Sequence, residues 1–387
     1  MFNKNSKGKK ILVVFYGDMQ AYPPTMNMLN YLSINNFDVT VICRGSNIGY
    51  SYLNECINII ALNKNISVQQ QMYGSKILKC YLYMHFIVRV FLFLKIKTPK
   101  IILAYDPIAL AISSALFSSK QSKLWYHNHD ILESNSVRAT HTMLHKMEAK
   151  AFSKLSFFSL PSKERFQYFN FSNFNGNAYL LPNYPSSILF DSYYLNRIPI
   201  KNRFNILFQG TIGAGHGIET IILILGNNTF SDLTLHLFLK GKINHEYKES
   251  LLQLAKLNNV EQFIHFYEFS KYEDVPKLIA QSHLGIAIFT KDDIMNSTLG
   301  SASNKIYEYA AVGTPIIYFQ NTHFETYFKS RKWAFSTDLS LSSITEVVSA
   351  VVSDFDNLSC SAYSDFKSEF YFEKNAEVLI SELKKIK

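Results

Sequence analysis

Apolar runs and amphipathic stretches alternate along this whole chain. Ile11–Tyr16, Asp38–Cys43, Ile101–Ala104, Leu124–His127 and Phe157–Leu160 read as buried strands. Met26–Asn35, Lys76–Leu94, Ile108–Ser118 and Thr140–Lys154 read as the helices between them. After Leu181-Pro182-Asn183-Tyr184-Pro185 a polar, proline-bearing stretch runs to Asn202, and a second alternation follows. Its strands are Phe204–Gln209, Thr234–Lys240, Ile264–Tyr267 and Gly285–Phe289, and its helices Gly217–Leu225, Glu246–Leu257 and Val275–Gln281. This order predicts an α/β chain of two doubly wound, Rossmann-like domains, residues 1–190 and 200–360, with ligands at the carboxyl ends of the strands. A chain of 387 residues is long enough for two cores.

One position breaks the pattern. Ser303 to Val312 reads as a short core helix, with Ser303 placed to cap it, Gly313 just past its end and Pro315 forbidding continuation before the strand Ile316–Phe319. Glu308 puts a carboxylate inside that helix. Asn304 shares its face four residues earlier, and Lys305 lies three residues before it. A carboxylate set there can receive two adjacent hydroxyls, as on a ribose; the plainer reading is a surface ion pair with Lys305.

Glycine is scarce, 15 in all, yet Gly210, Gly213, Gly215 and Gly217 crowd between a strand and a helix. Such a turn brings backbone amides and a helix N-terminus close to a phosphate. It lacks the dinucleotide fingerprint and has no following Walker lysine, so neither a nicotinamide site nor a phosphate-loop ATPase is supported. In the first half, Trp125-Tyr126-His127-Asn128-His129-Asp130 runs off a strand and sets two histidines and an aspartate at a sheet's carboxyl edge. The spacing matches no common zinc site, and capping of a following helix is the structural alternative.

These segments resemble the retaining GT-B glycosyltransferases of the family-four type, whose two Rossmann-like domains face each other across a cleft. The likeness runs over most of the chain and is strongest from Phe204 to Tyr318. It implies that Glu308 binds the nucleotide ribose, and that Gly210, Thr211, Gly215, His216 and Gly217 carry the donor diphosphate. Two departures stand out. The family usually has a second glutamate where this chain has Gly300, and basic residues where it has Thr211 and His216. Donor-sugar contacts then fall to Gly300, Ser301, Ala302 or Ser303, beside Asn304, and Lys305 becomes the candidate for the missing positive charge. The resemblance further implies that His129 faces the donor sugar with Asp130 orienting it. Gly241 and the stretch His265-Phe266-Tyr267-Glu268-Phe269 would lie by the base, Phe266 and Tyr267 among its lining. Gly17 and Asp18 would sit in the acceptor-side loop, and a C-terminal segment, residues 361–387 with its helix Glu373–Lys385, would return to the first domain.

Charge changes the picture once more. Of the 39 Lys and Arg and 30 Asp and Glu, residues 1–190 hold 20 and 8, a net of +12, and residues 191–387 hold 19 and 22, a net of −3. No acid occurs between Glu55 and Asp106, where Lys64, Lys76, Lys79, Arg89, Lys95, Lys97 and Lys100 are interleaved with aromatic and aliphatic residues. The apolar stretch Cys80–Leu94 is shorter than the ~20 residues of a spanning helix, and it contains His85 and Arg89. It reads as a helix lying on an anionic leaflet, the alternative being a core helix with a solvated basic edge. No nucleic-acid signature accompanies the basic region. Ile11–Tyr16 lacks the cleavage site of a secretory signal, and four scattered cysteines suit a reducing compartment.

The resulting expectation is a cytoplasmic glycosyltransferase, peripheral on the inner face of the membrane. It would move a sugar from a nucleotide diphosphate donor to a lipid-linked or saccharide acceptor in surface polysaccharide assembly, with retention and without a metal ion or other cofactor. A sugar-nucleotide epimerase of the same fold, and a degenerate GT-B protein that binds without turnover, are the rivals.

Overall fold

The computed structural model describes residues 8–45, 51–66, 70–71, 74–131, 139–226, 230, 232–268, 271–291 and 293–387. The chain divides into two compact units, Met1–Pro182 with Glu373–Lys387, and Asn183–Phe372.

In the first unit seven parallel strands form one sheet: β1 (Lys10–Phe15), β2 (Asp38–Arg44), β3 (Asn58–Leu62), β4 (Ile101–Tyr105), β5 (Lys123–His127), β6 (Phe157–Leu160) and β7 (Asn177–Leu180). Their order is β3-β2-β1-β4-β5-β6-β7, which reverses direction between β1 and β4. The flanking helices are α1 (Pro23–Ile34), α2 (Lys76–Ile96), α3 (Asp106–Leu116) and α4 (Ala139–Ala151). Strands in the middle of the sheet are covered on both faces, so β1 and β4 are buried almost end to end. β3 and β7 are edge strands with mostly part-exposed or exposed residues; β7 has no apolar run to announce it, whereas β3 carries the run Ile59–Leu62, which the sequence reading passed over.

The second unit repeats the plan with six parallel strands: β8 (Arg203–Gln209), β9 (Thr234–Lys240), β10 (Ile264–Tyr267), β11 (Leu284–Ala287), β12 (Ile316–Phe319) and β13 (Ala334–Thr337). Their order is β10-β9-β8-β11-β12-β13. Helices α5 (Ile218–Leu225), α6 (His245–Leu257), α7 (Val275–Ala280), α8 (Asn304–Val312), α9 (Thr322–Phe328) and α10 (Leu341–Ser368, kinked at Asp354) flank it. Alternation decides what each face does. Phe204, Ile206 and Phe208 of β8 and Leu235, Leu237 and Leu239 of β9 enter one core, which leaves Gln209 and Lys240 on the other face.

The last helix, α11 (Phe372–Lys385), packs on the first unit through Ala376, Leu379, Ile380 and Leu383, and Lys384 Nζ donates to Asn35 Oδ1 at 2.7 Å.

Helix α2 extends beyond the apolar stretch that suggested it, and by length and composition it could cross a membrane. Leu82, Phe86 and Val90 nevertheless pack one stripe of it into the core of the first unit. Ile77, Tyr81, Met84, Val88 and Leu92, spaced three to four apart on the opposite side, are exposed. The solvated side of this helix thus mixes these apolar residues with the exposed Lys76, Lys79, Arg89 and Lys95.

Candidate functional site

Both sheets reverse strand order next to their first strand, and the chemistry-bearing residues lie at the carboxyl ends there. In the second unit, α8 begins at Asn304 and ends in a left-handed Gly313, whose amide bonds Ala310 O while Thr314 N bonds Tyr309 O. Ser303 occupies the cap position, but its side chain makes no capping bond.

Glu308 is buried, 5% exposed. The surface ion pair with Lys305 is not what holds it: Gln209 Nε2 donates to its Oε2 at 2.7 Å, and the Tyr272 hydroxyl bonds it as well. Burial pushes its carboxyl up to about 7, against the pull of Tyr272, Lys240, Lys305 and Gln209. Lys305 stretches its ammonium over the rings of Phe208 and Phe289, 4.0 and 4.8 Å from their centroids. Loss of water there brings its pKa down to about 7, with Glu308 acting the other way. A Cβ on Gly210 would lie 3.4 Å from that ammonium, so Lys305 sits directly over the glycine turn. Gly241 closes the turn from the next strand: with φ +141° it lies so near Gly210 that a Cβ would meet the carbonyl oxygen of Gly210 at 1.8 Å, which only glycine avoids.

The turn itself is neutral. His216 Nδ1 donates to Ile288 O at 2.8 Å. Burial, reinforced by Lys305, drops its pKa to about 4, leaving Nε2 as an acceptor at neutral pH. Thr211 is exposed at the same turn. Lys305 brings an ammonium over Gly210, and the Lys291 side chain lies against Gly215 of the same turn, so that both cations act on His216.

Gly300 departs from the expected role. It lies in a 3-10 turn (Gly300–Ala302), its amide donates to His323 Nε2 at 2.8 Å, and a Cβ would strike the Tyr327 ring at 2.7 Å with φ at +30°. A glutamate there would be strained by the backbone and would have to displace the end of the Tyr327 side chain. The Ala302 amide likewise bonds Leu299 O, so two of the four amides expected to serve a ligand are engaged inside the fold. Asn183 braces this turn, donating from its amide to Ser301 O and from Nδ2 to Ala302 O. Asn304 Oδ1 is buried without a hydrogen-bond partner among the described residues.

Phe266 turns to the core side of its strand, under Lys248, whereas Tyr267 lies beside Phe238 and opposite Lys240. The Tyr267 carbonyl accepts from Gly241 N. Phe269, from the same sequence stretch, lies outside the described residues.

In the first unit the partner of His129 is Asp106, not Asp130. His129 Nδ1 lies 3.0 Å from Asp106 Oδ2, its amide donates to Asp106 Oδ1 at 2.8 Å, and its Nε2 lies 3.1 Å from Thr25 Oγ1. A carboxylate only accepts, so Nδ1 carries the proton and Nε2 receives the threonine hydroxyl. Asp106 achieves this in a left-handed conformation, φ +65°, at the start of α3. Asp130 is exposed as a residue and makes no hydrogen bond to His129, but loss of water around its carboxyl raises its pKa, against the pull of His129 and Arg165. Arg165 donates to the His129 carbonyl, and the Tyr105 ring stacks on the imidazole at 4.8 Å. His127 bonds Ser159 Oγ at 2.8 Å instead of sharing a metal with His129, and no group of three metal-ligating side chains forms among the described residues. Gly17 and Asp18 lie just beyond β1, where Asp18 caps the 3-10 turn Met19–Ala21.

No protein-family model and no curated sequence matches this chain. Solved structures do. Sucrose-phosphate synthase from Thermosynechococcus elongatus superimposes with a TM-score of 0.68 at 12% identity, over 97% of this chain and 98% of that one. The HepE protein of Anabaena, in complex with UDP and glucose, gives 0.65 at 14%, over 97% and 99%. WaaG, a glycosyltransferase involved in lipopolysaccharide biosynthesis, gives 0.64 at 13%, over 96% and 99%. The fold is GT-B. Coverage of nearly the whole length of each means that both units of this GT-B chain have counterparts in those structures.

Sequence reasoning missed Gln209, Tyr272, Lys240, Asp106 and Thr25. Lys240 carried a legible signal, a charge ending the apolar run Leu237–Leu239, and Asp106 another, an acid directly after the buried run Ile101–Tyr105. Tyr272 and Thr25 are brought in from other elements and carried none.

Proposed function

We propose that this GT-B chain is a retaining glycosyltransferase that takes a nucleotide diphosphate sugar as donor and a lipid-linked or saccharide acceptor, in surface polysaccharide assembly. The observation that carries the reading is the buried Glu308 carboxylate, fixed by two neutral donors beside a glycine turn under an ammonium. A carboxylate so held accepts two adjacent ribose hydroxyls, and the Lys305 ammonium with the turn amides meets diphosphate charge, which calls for no metal ion. With no protein nucleophile invoked, the leaving phosphate accepts the acceptor's proton on the face it departs from, while charge develops at the anomeric carbon. His129, its tautomer set by Asp106, is the proposed group on the sugar side. That HepE was solved with UDP and with UDP-glucose supports the donor class.

The exposed apolar stripe of α2, among seven Lys and Arg with no acid from Glu55 to Asp106, supports docking of the first unit on an anionic leaflet, and with it a cytoplasmic, membrane-peripheral location. The test of function is product analysis after incubation with radiolabelled nucleotide sugars, with and without membrane lipid extract. Label in a lipid or glycan product is expected. Conversion of the donor alone indicates an epimerase, and binding without any product a protein that has lost turnover.

A further inference from the structure

Lys240 ends β9 and is 7% exposed, yet its Nζ has no hydrogen-bond partner among the described residues. Burying an ammonium without a partner is costly, and a lysine with a long flexible stem ordinarily escapes to water. This one stays. It stands in register with Gln209 of β8 and Tyr267 of β10, on the sheet face opposite the core of β9. Gln209 is the residue that holds Glu308. Lys240 and Glu308 are close enough that each favours the other's charged form, although burial outweighs this at both. Glu308 in turn keeps capacity to spare, because two bonds from Gln209 and Tyr272 leave about two of the roughly four acceptor sites of a carboxylate open.

We infer that Lys240 is a specificity-determining ligand for the ribose: its ammonium donates to a ribose hydroxyl oxygen whose proton goes to Glu308, so that the pair reads a vicinal diol. This rests on the reading of Glu308 as the ribose ligand. A hydroxyl is the group that answers both at once, being donor and acceptor on one atom. A nucleotide without its ribose hydroxyls leaves the ammonium and the carboxylate buried and unanswered, and a site built to bond a hydroxyl rejects the analogue that lacks it.

The test is calorimetry on the full chain with the diphosphates of uridine, guanosine, adenosine and cytidine, and with the 2′,3′-dideoxy form of whichever binds best. The parent is expected to prefer the ribonucleotide by about 10- to 100-fold. Lys240→Met should lose most of that preference, weakening the ribonucleotide about 10-fold or more and leaving the dideoxy form unchanged. Lys240→Arg, which keeps a donor cation, should retain a preference, and serves as the second variant if the methionine protein unfolds. Equal weakening of both nucleotides, or none, overturns the inference. A Glu308→Gln control separates the two claims: loss of affinity there without any effect at Lys240 removes this inference alone, whereas binding that ignores Glu308, or no binding at all, removes both.

Discussion

His129 in the first unit and Lys240 in the second are both buried, charge-capable side chains at the carboxyl ends of parallel strands, and the fold treats them oppositely. Around His129 each ring nitrogen, the amide and the carbonyl has a partner, from Asp106, Thr25 and Arg165. Around Lys240 the ammonium has none among the described residues, and Asn304 Oδ1 in the same unit is alike. A fully bonded polar group is positioned in advance, and its orientation belongs to the fold. A buried group left without partners costs stability and is retained where something else supplies the missing bond. The contrast extends to the surfaces, since residues 1–190 carry a net of +12 and residues 191–387 a net of −3.

The largest expected effect tests the outside of the first unit. Each of Lys76, Lys79, Lys95 and Lys97 contributes about 1 kcal/mol near an anionic bilayer, so changing all four to Gln should remove about 4 kcal/mol of attraction. Flotation with phosphatidylserine vesicles should show the parent protein bound at low salt, released by high salt, and the variant in the supernatant with nucleotide binding intact. A parent that never floats removes the membrane part of the proposal.

Next comes the core of the second unit. Glu308→Gln should weaken nucleoside diphosphate binding by about 1–3 kcal/mol through loss of charge-assisted bonds, and calorimetry with unchanged affinity would take Glu308 out of the site. On the other side of the comparison, Asp106→Ala strands the buried Nδ1–H and amide of His129, and should lower unfolding free energy by about 1–3 kcal/mol in urea denaturation. It should also depress turnover more than nucleotide affinity if His129 acts on the sugar, whereas proportionate loss in both assigns the histidine to structure.

The pH dependence of nucleotide binding sharpens the picture further. Glu308 must be ionised and Lys305 protonated, and burial has brought both to about 7. Below that the carboxyl gains its proton, and above it the ammonium loses one, so affinity should peak near 7 and fall on both sides, approaching about tenfold per pH unit. Glu308→Gln should abolish the acid limb and keep the alkaline one. The smallest effect has the opposite sign from Asp106→Ala. At pH 6, where Glu308 is protonated and needs no counter-charge, Lys240→Met should raise the stability of the nucleotide-free protein by about 1 kcal/mol, read as a higher Tm. A lower Tm would mean that the ammonium already has what it needs.

The sequence by itself determined the two α/β alternations, the helix that carries Glu308 and its glycine stop, because periodicity, turn chemistry and burial are local properties of the chain. The family resemblance, not the local pattern, joined Lys305 to the glycine turn. Tertiary structure decided their partners. The sequence neighbour Asp130 lost His129 to Asp106, 23 residues away, because parallel register sets the end of β4 beside the end of β5. Gln209 reaches Glu308 across 99 residues for the same kind of reason, from a strand end to a helix packed on its sheet. Gly300 could be seen as a missing glutamate, but only the Tyr327 ring and a positive φ showed that a side chain there would be strained. Edge strands β7 and β13 stayed illegible because their residues are not buried on both faces, and burial is what writes an apolar run into a sequence; β3, also an edge strand, does hold the run Ile59–Leu62 and was passed over.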